Sequence, residues 1–390
     1  MGTGTLNFRE DRYNLIMMIP TSVRVVAAVA GSLLVLSAVA SVIGTVIVPR
    51  RSGSRLTRLV TRAVDNAFQL VTRPVSDYER RDRIEAAQAP VILLGQLVMW
   101  LGIFYVGYAL LVWPEVPDIT AAFRTAGPAL WTFGSSQTHG FFETAVLDTA
   151  AMAALITVTL QIAYLPQLYG AFNRRETEIA LLNSRAGSPS WGPELLARTH
   201  YALGSGTSAL DTLPELYNQW ERWAVDVAES HVTYSPLVWF RSPTYEASWV
   251  TSLLAVLDSA ALYLSLSPQA APNVPARLCL RSGLLCFGQV ARSMGLEVPA
   301  EPGPDAGIDL PYDDYLDAIA RLREMDFPIE RDPADSWPDF VGWRVNYEQA
   351  AYAIAEAIDA VPALWSGPRR HRATPMPPLR PLPGRPPSGE

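Results

Sequence analysis

One polar stretch holds the side chains and turn formers best suited to chemistry: Gly127-Pro128-Ala129-Leu130-Trp131-Thr132-Phe133-Gly134-Ser135-Ser136-Gln137-Thr138-His139-Gly140-Phe141-Phe142-Glu143. The chemistry they would suit is cation coordination by the main chain. A short helix aims its C-terminal carbonyls at an axis, and the next few carbonyls replace the ion's water shell. Glycine serves wherever φ must be positive, and a threonine adds a hydroxyl ligand. Thr138, His139, Gly140 and Phe141 are the candidate coordinating positions. Phe142, Glu143 and Asp148 are candidates for an acidic outer vestibule. Non-helical backbone survives at membrane depth only if protein buries it or water lines it.

Two apolar runs flank this stretch, residues 89–113 and 145–172, and a third, residues 25–48, precedes them. Each exceeds the roughly 20 apolar residues that cross a bilayer core. Run 25–48 is uncharged and would rise about 36 Å as a helix. That is too long for the apolar part of a signal peptide. Run 89–113 is also uncharged and ends at Trp113-Pro114, an interfacial aromatic and a helix stop. Asp148 is the one charge in the third run. It suits either the vestibule or a helix start behind Thr144 as N-cap. Gln161 suits a cavity wall or a bond between helices.

Arginine placement sets the orientation. Residues 49–88 hold nine arginines (Arg50, Arg51, Arg55, Arg58, Arg62, Arg73, Arg80, Arg81 and Arg83), whereas residues 114–144 hold one, Arg124. The third run exits into Arg174-Arg175. The N-terminus and the hairpin 127–143 are therefore expected outside, and the basic linker and C-terminal part in the cytoplasm.

Composition agrees with a membrane part joined to a soluble part: 49% apolar residues and a mean hydropathy of +0.12. All 31 basic residues are Arg, a usage of GC-rich bacterial genomes, and the net charge of −7 gives no reason to expect nucleic-acid binding. Cys279 and Cys286 share a helix face and read as buried free thiols rather than a zinc site. No nucleophile elbow occurs, and Gly204-Ser205-Gly206-Thr207 lacks the Lys of a phosphate loop. No catalytic role, metal or cofactor is expected.

The expected chain is all-α. It comprises segment 1–24, span 25–48, basic linker 49–88, pore module 89–175, cytoplasmic helical domain 176–365 and disordered tail 366–390. Residues 54–71 form an amphipathic basic helix, suited to anionic lipid at the inner leaflet or to packing on the cytosolic domain. Residues 247–267 are nearly apolar, but Asp258 sits at their midpoint, where a charge costs a span about 2.5–3.5 kcal/mol. Trp249, Leu253, Leu257, Ala260 and Leu264 recur at helical steps, so a core helix is expected. Residues 366–390 contain eight prolines and five arginines and little aliphatic bulk.

Thr138, Gly140 and Phe141 carry a resemblance. With Glu143 they match the Thr-x-Gly-(Tyr/Phe)-Gly-Asp pattern of potassium-channel-type proteins, Glu143 standing for the acid. Phe142 departs from it, in the place of the second glycine. A non-glycine residue there at positive φ costs roughly 1–2 kcal/mol. Residues 145–176 resemble the inner helix of such channels, with Pro166 as a kink at the gate. The resemblance covers residues 89–176. Residues 164–187 and 342–347 are similar to uncharacterised actinobacterial channel-like membrane proteins. The resemblance implies a multi-pass cation channel of the bacterial plasma membrane, a homotetramer passing a monovalent cation such as potassium. His139 would then sense pH or pack behind the filter. Phe142 keeps a second reading open: a non-conducting, membrane-anchored helical scaffold or sensor with a cytosolic partner.

Overall fold

A computed structural model describes residues 20–48, 54–131, 140–202, 209–299, 302 and 306–380. Across them the chain is all-α, and the one β feature is a bridge between Ala363 and Met376. The chain divides into two units, residues 1–66 with 90–167, and residues 67–89 with 168–390.

The first unit draws on five helices: α1 Thr21–Val42, α2 Arg55–Thr72, then, beyond α3 Tyr78–Glu85 of the second unit, α4 Gln88–Val112, α5 Ile119–Leu130 and α6 Phe141–Ala186. α1 ends in a π-helical turn, Ile43–Ile47. α1 and α4 meet through glycines. A Cβ on Gly31 would stand 2.6 Å from the Gly107 carbonyl oxygen, and one on Gly107 would stand 2.8 Å from Val35 Cγ2. Small residues let helix backbones approach this closely, which gives packing without a hydrophobic driving force. Polar anchors add to it. The Trp100 indole donates to Ser41 Oγ at 2.9 Å, and the Tyr108 hydroxyl donates to the Thr149 carbonyl at 3.2 Å.

Among the described residues, four helices are long and apolar enough to cross a membrane: 22–47, 78–115, 141–186 and 249–266. Burial divides them. Only 28%, 39% and 33% of the apolar windows of the first three are covered by protein, against 100% of the fourth. Val25, Val29, Leu33 and Leu36 of α1, Leu94 and Val98 of α4, and Met152, Leu155 and Ile162 of α6 are exposed.

The second unit continues with α7 Gly192–Ala197, α8 Leu213–Thr233, α9 Trp249–Leu266, α10 Asn273–Met294, α11 Tyr312–Glu324, α12 Pro333–Arg344 and α13 Glu348–Ala357. α9 is enclosed on every face, packed by α7, α8, α10, α12 and α13. This is the core helix expected at 247–267. Asp258 is tolerated there because Arg344 pairs with it, the Tyr347 hydroxyl donates to its Oδ1 at 2.9 Å, and Arg344 also donates to Glu348, Tyr352 and the Trp365 carbonyl.

The expected free tail begins with an attached segment. Met376 N–H donates to the Pro362 carbonyl and Leu379 N–H to the Ser188 carbonyl. Arg369 donates to the carbonyls of Ala360 and Val361. These hydrogen bonds, with Pro378 buried beside Gly187, hold residues 366–380; residues 381–390 lie outside the described residues. In α2, Leu59, Leu70 and Val71 are exposed, while Val60 faces Gly95 of α4.

The glycine crossing is testable by unfolding in detergent. Gly107→Ala should destabilise the protein by about 1–3 kcal/mol through overpacking. Gly102→Ala, on the same helix with open space at its Cβ, should be neutral or gain up to about 1 kcal/mol from helix propensity.

Candidate functional site

The hairpin region is framed by α5 and the start of α6. Asp118 caps α5, accepting from the Ala121 N–H at 2.7 Å. The helix runs through Pro128, buries Ala122, Ala126, Gly127, Ala129 and Leu130, and stops at Trp131. Tyr105 of α4 braces it: its ring lies edge-on to Phe123 at 5.1 Å, and its hydroxyl donates to the Phe123 carbonyl. At about 1.5 Å per residue α5 is near 18 Å long, roughly half a bilayer.

Thr138 and His139 lie outside the described residues. Gly140 opens α6. Its carbonyl accepts both the Thr144 N–H at 3.1 Å and the Thr144 hydroxyl at 2.9 Å. Phe141 is the first helical residue and is 92% exposed; Phe142 follows it within the helix. The strain expected at Phe142 therefore does not arise. Positive φ at non-glycine residues is confined, among the described residues, to Asp326, Asp359 and Trp365. Gly140 also keeps a negative or extended φ, with open space where a Cβ would be.

Glu143 is buried in the first turn of α6, where the exposed N–H groups of a helix start favour an acid. Asp148 is exposed and sits a turn further on. Thr144 does not cap the helix ahead of it, because α6 begins three residues earlier. Pro166 is exposed within an unbroken α6, between buried Tyr164 and Leu168. Gln161 and Thr157 are buried, and the Thr157 hydroxyl donates back to the Ala153 carbonyl.

The sequence pattern missed where the short helix lies. The hairpin reading starts at Gly127-Pro128, but the helix starts at Ile119. Asp118, an N-cap residue before an apolar stretch, was the available signal. With α5 ending at Leu130, the Thr-x-Gly that follows it directly in the sequence is Thr132-Phe133-Gly134, not Thr138-His139-Gly140.

The second unit buries its charges in arginine-centred networks. Arg175 is 1% exposed and donates to Glu176, to His231 Nε2 at 3.0 Å, and to the carbonyls of Leu237 and Phe240. A guanidinium only donates, so His231 Nε2 is the acceptor and the ring proton sits on Nδ1. Ser230 Oγ lies 3.2 Å from that Nδ1. The pair does not have the geometry of a nucleophile and base. Both residues are sealed, and a cation stands where a catalytic histidine needs a carboxylate. Burial, and then Arg175, hold the His231 imidazole well below its ordinary range. Burial pushes both cysteine thiols up, so neither is a reactive thiolate.

No family model, curated protein or solved structure matches this chain.

His231 makes the second unit acid-sensitive in a defined direction. The folded state keeps the ring neutral, whereas the unfolded chain protonates near pH 6.5. The contribution is intact above that pH and is lost as pH falls below it, by at most about 1.4 kcal/mol per pH unit. In denaturant titrations from pH 7.5 to 5, His231→Gln should show a shallower acid slope than the parent protein. An unchanged slope would assign the acid sensitivity elsewhere.

Proposed function

We propose that this chain is the subunit of a pore-loop cation channel of potassium-channel type in a bacterial plasma membrane. α1, α4 and the first half of α6 serve as spans, and α5 is the re-entrant pore helix. Four copies enclose one wet axis, as a single hairpin per chain requires. The N-terminus lies outside, and the second unit lies in the cytoplasm. The arginine-rich α2 meets anionic lipid, Pro166 marks the gate region, and the permeant ion is monovalent, with potassium the first candidate.

The observation that carries this reading is α5 itself. It is a capped, half-length helix between two helices long enough to span, and it ends immediately before a Thr-x-Gly. Its placement favours Thr132 to Gly134 as the carbonyl ligands over Thr138 to Phe141. A second reading, a non-conducting membrane-anchored scaffold or sensor, is favoured by a different observation. The Gly140 carbonyl is spent on Thr144, and Phe141 is already helical, so two of the four positions first nominated have no free carbonyl to offer an ion.

Flux of potassium and sodium into liposomes, measured beside the oligomeric state in detergent, separates the readings. The channel reading expects a tetramer and flux that Gly134→Val removes and Gly140→Val spares. Flux lost with Gly140→Val and kept with Gly134→Val returns the filter to 138–141. A monomer or dimer without flux overturns the channel in favour of the anchor.

A further inference from the structure

The second unit contains a polar cluster that none of the preceding functions uses. Glu85 at the end of α3, Asp359 just after α13, and His371 in the C-terminal segment bring one ligand atom each to within 4.8 Å of one another. Glu85 is far from the other two in sequence, so no spacing motif announces the three. Glu85 and Asp359 are buried and His371 is half-buried.

Two observations set this cluster apart from an ordinary ion pair. Asp359 Oδ1 and His371 Nδ1 are buried with no hydrogen-bond partner, although the Asp359 side chain is only 3% exposed. Buried polar atoms left unsatisfied are costly, which favours a partner for them. His371 Nδ1 also stands 3.4 Å from Asp359 Oδ2. Ligands about 2.0–2.1 Å from a tetrahedral zinc ion lie about 3.3–3.4 Å apart.

We propose that Glu85, Asp359 and His371 form a binding site for a divalent first-row cation of zinc's class. One imidazole nitrogen and two carboxylate oxygens are a donor set for such an ion. The surrounding arginines already act as outer partners. Arg81 Nε donates to Asp359 Oδ2 at 2.5 Å, and Arg241 pairs with Glu85 and with Asp82. Groups in that position orient metal-binding carboxylates. Arg81 is itself held by the Val75 carbonyl, and Arg369 fastens the segment carrying His371 to Ala360 and Val361. The three donors are thus fixed before an ion arrives. The bound ion would clamp the C-terminal segment to α3, the helix that leads into α4.

The test uses the full chain in detergent, stripped with a chelator, loaded with zinc and dialysed against metal-free buffer. The expected result is one zinc per chain by elemental analysis and a thermal midpoint that rises with zinc. His371→Ala should weaken zinc binding at least about ten-fold, and Glu85→Gln should do the same if it folds. His200→Ala and Cys279→Ser should keep the zinc. The proposal is overturned if the parent chain retains no zinc, or if His371→Ala retains it equally. A midpoint lowered by His371→Ala with no zinc dependence in the parent would leave only an Asp359–His371 ion pair, and would also overturn it.

Discussion

An apolar helix must be covered, and only protein or lipid can cover it. This constraint sorts the molecule. α9 is covered by protein on every face, and the second unit is assembled around it. α1, α4 and α6 leave most of their apolar windows bare, although each packs closely where glycine or tyrosine allows. Hydropathy alone does not separate these cases, because all four pass the same length and composition test. The separating residue is Asp258. A charge at the centre of an apolar helix demands a partner, and a folded domain supplies one more readily than a bilayer does. Arg344, Tyr347 and Glu348 supply the network here.

The same logic explains the role of arginine throughout the second unit. A buried guanidinium has five donors to satisfy, and unpaired carbonyls at helix ends and in irregular segments need donors. Arg175 serves Leu237 and Phe240, Arg344 serves Trp365, Arg241 serves Ile358, and Arg369 serves the chain around its own turn. These side chains fasten segments without regular structure to the helical core. A lysine in any of these places would offer three donors from a single point and lose the planar fork. That an arginine-only chain builds its domain in this way follows from the geometry of the group, whatever drove the codon usage.

Much of the architecture was legible because it rests on periodicity and composition. The long apolar runs, the core character of residues 247–267 and the helical second unit follow from those two signals. The boundaries around the hairpin were not legible, because competing local rules act there. Gly127-Pro128 reads as a break, yet α5 carries Pro128 and ends only at Leu130, with Gly127, Ala129 and Leu130 buried. Thr144 reads as an N-cap, yet its hydroxyl turns back to the Gly140 carbonyl and extends the helix toward the N-terminus. The attached part of the tail was hidden for another reason. Composition reports aliphatic content, whereas residues 366–380 are held by backbone and guanidinium hydrogen bonds and by Pro378 packed beside Gly187. The Glu85, Asp359 and His371 cluster was invisible because only the fold brings α3 to the C-terminal segment.

The start of α6 bears directly on what the hairpin can do. A carbonyl accepted into a helix is committed to the N–H four residues on, and it points along the helix axis rather than toward a separate ion path. Each residue that α6 gains at its N-terminal end therefore removes one carbonyl from the set that could face a cation. With Gly140 and Phe141 committed, the candidates left in the sequence are residues 132–139, which lie outside the described residues. The C-terminal end of α5 carries the partial negative charge of the aligned peptide dipoles, which favours a cation. The two helices thus make opposite demands on the sequence between them. The α5 end favours a cation, while α6 takes the Gly140 carbonyl out of use. On the proposed reading, the helix boundaries, more than the glycine spacing, decide which carbonyls are left for a cation.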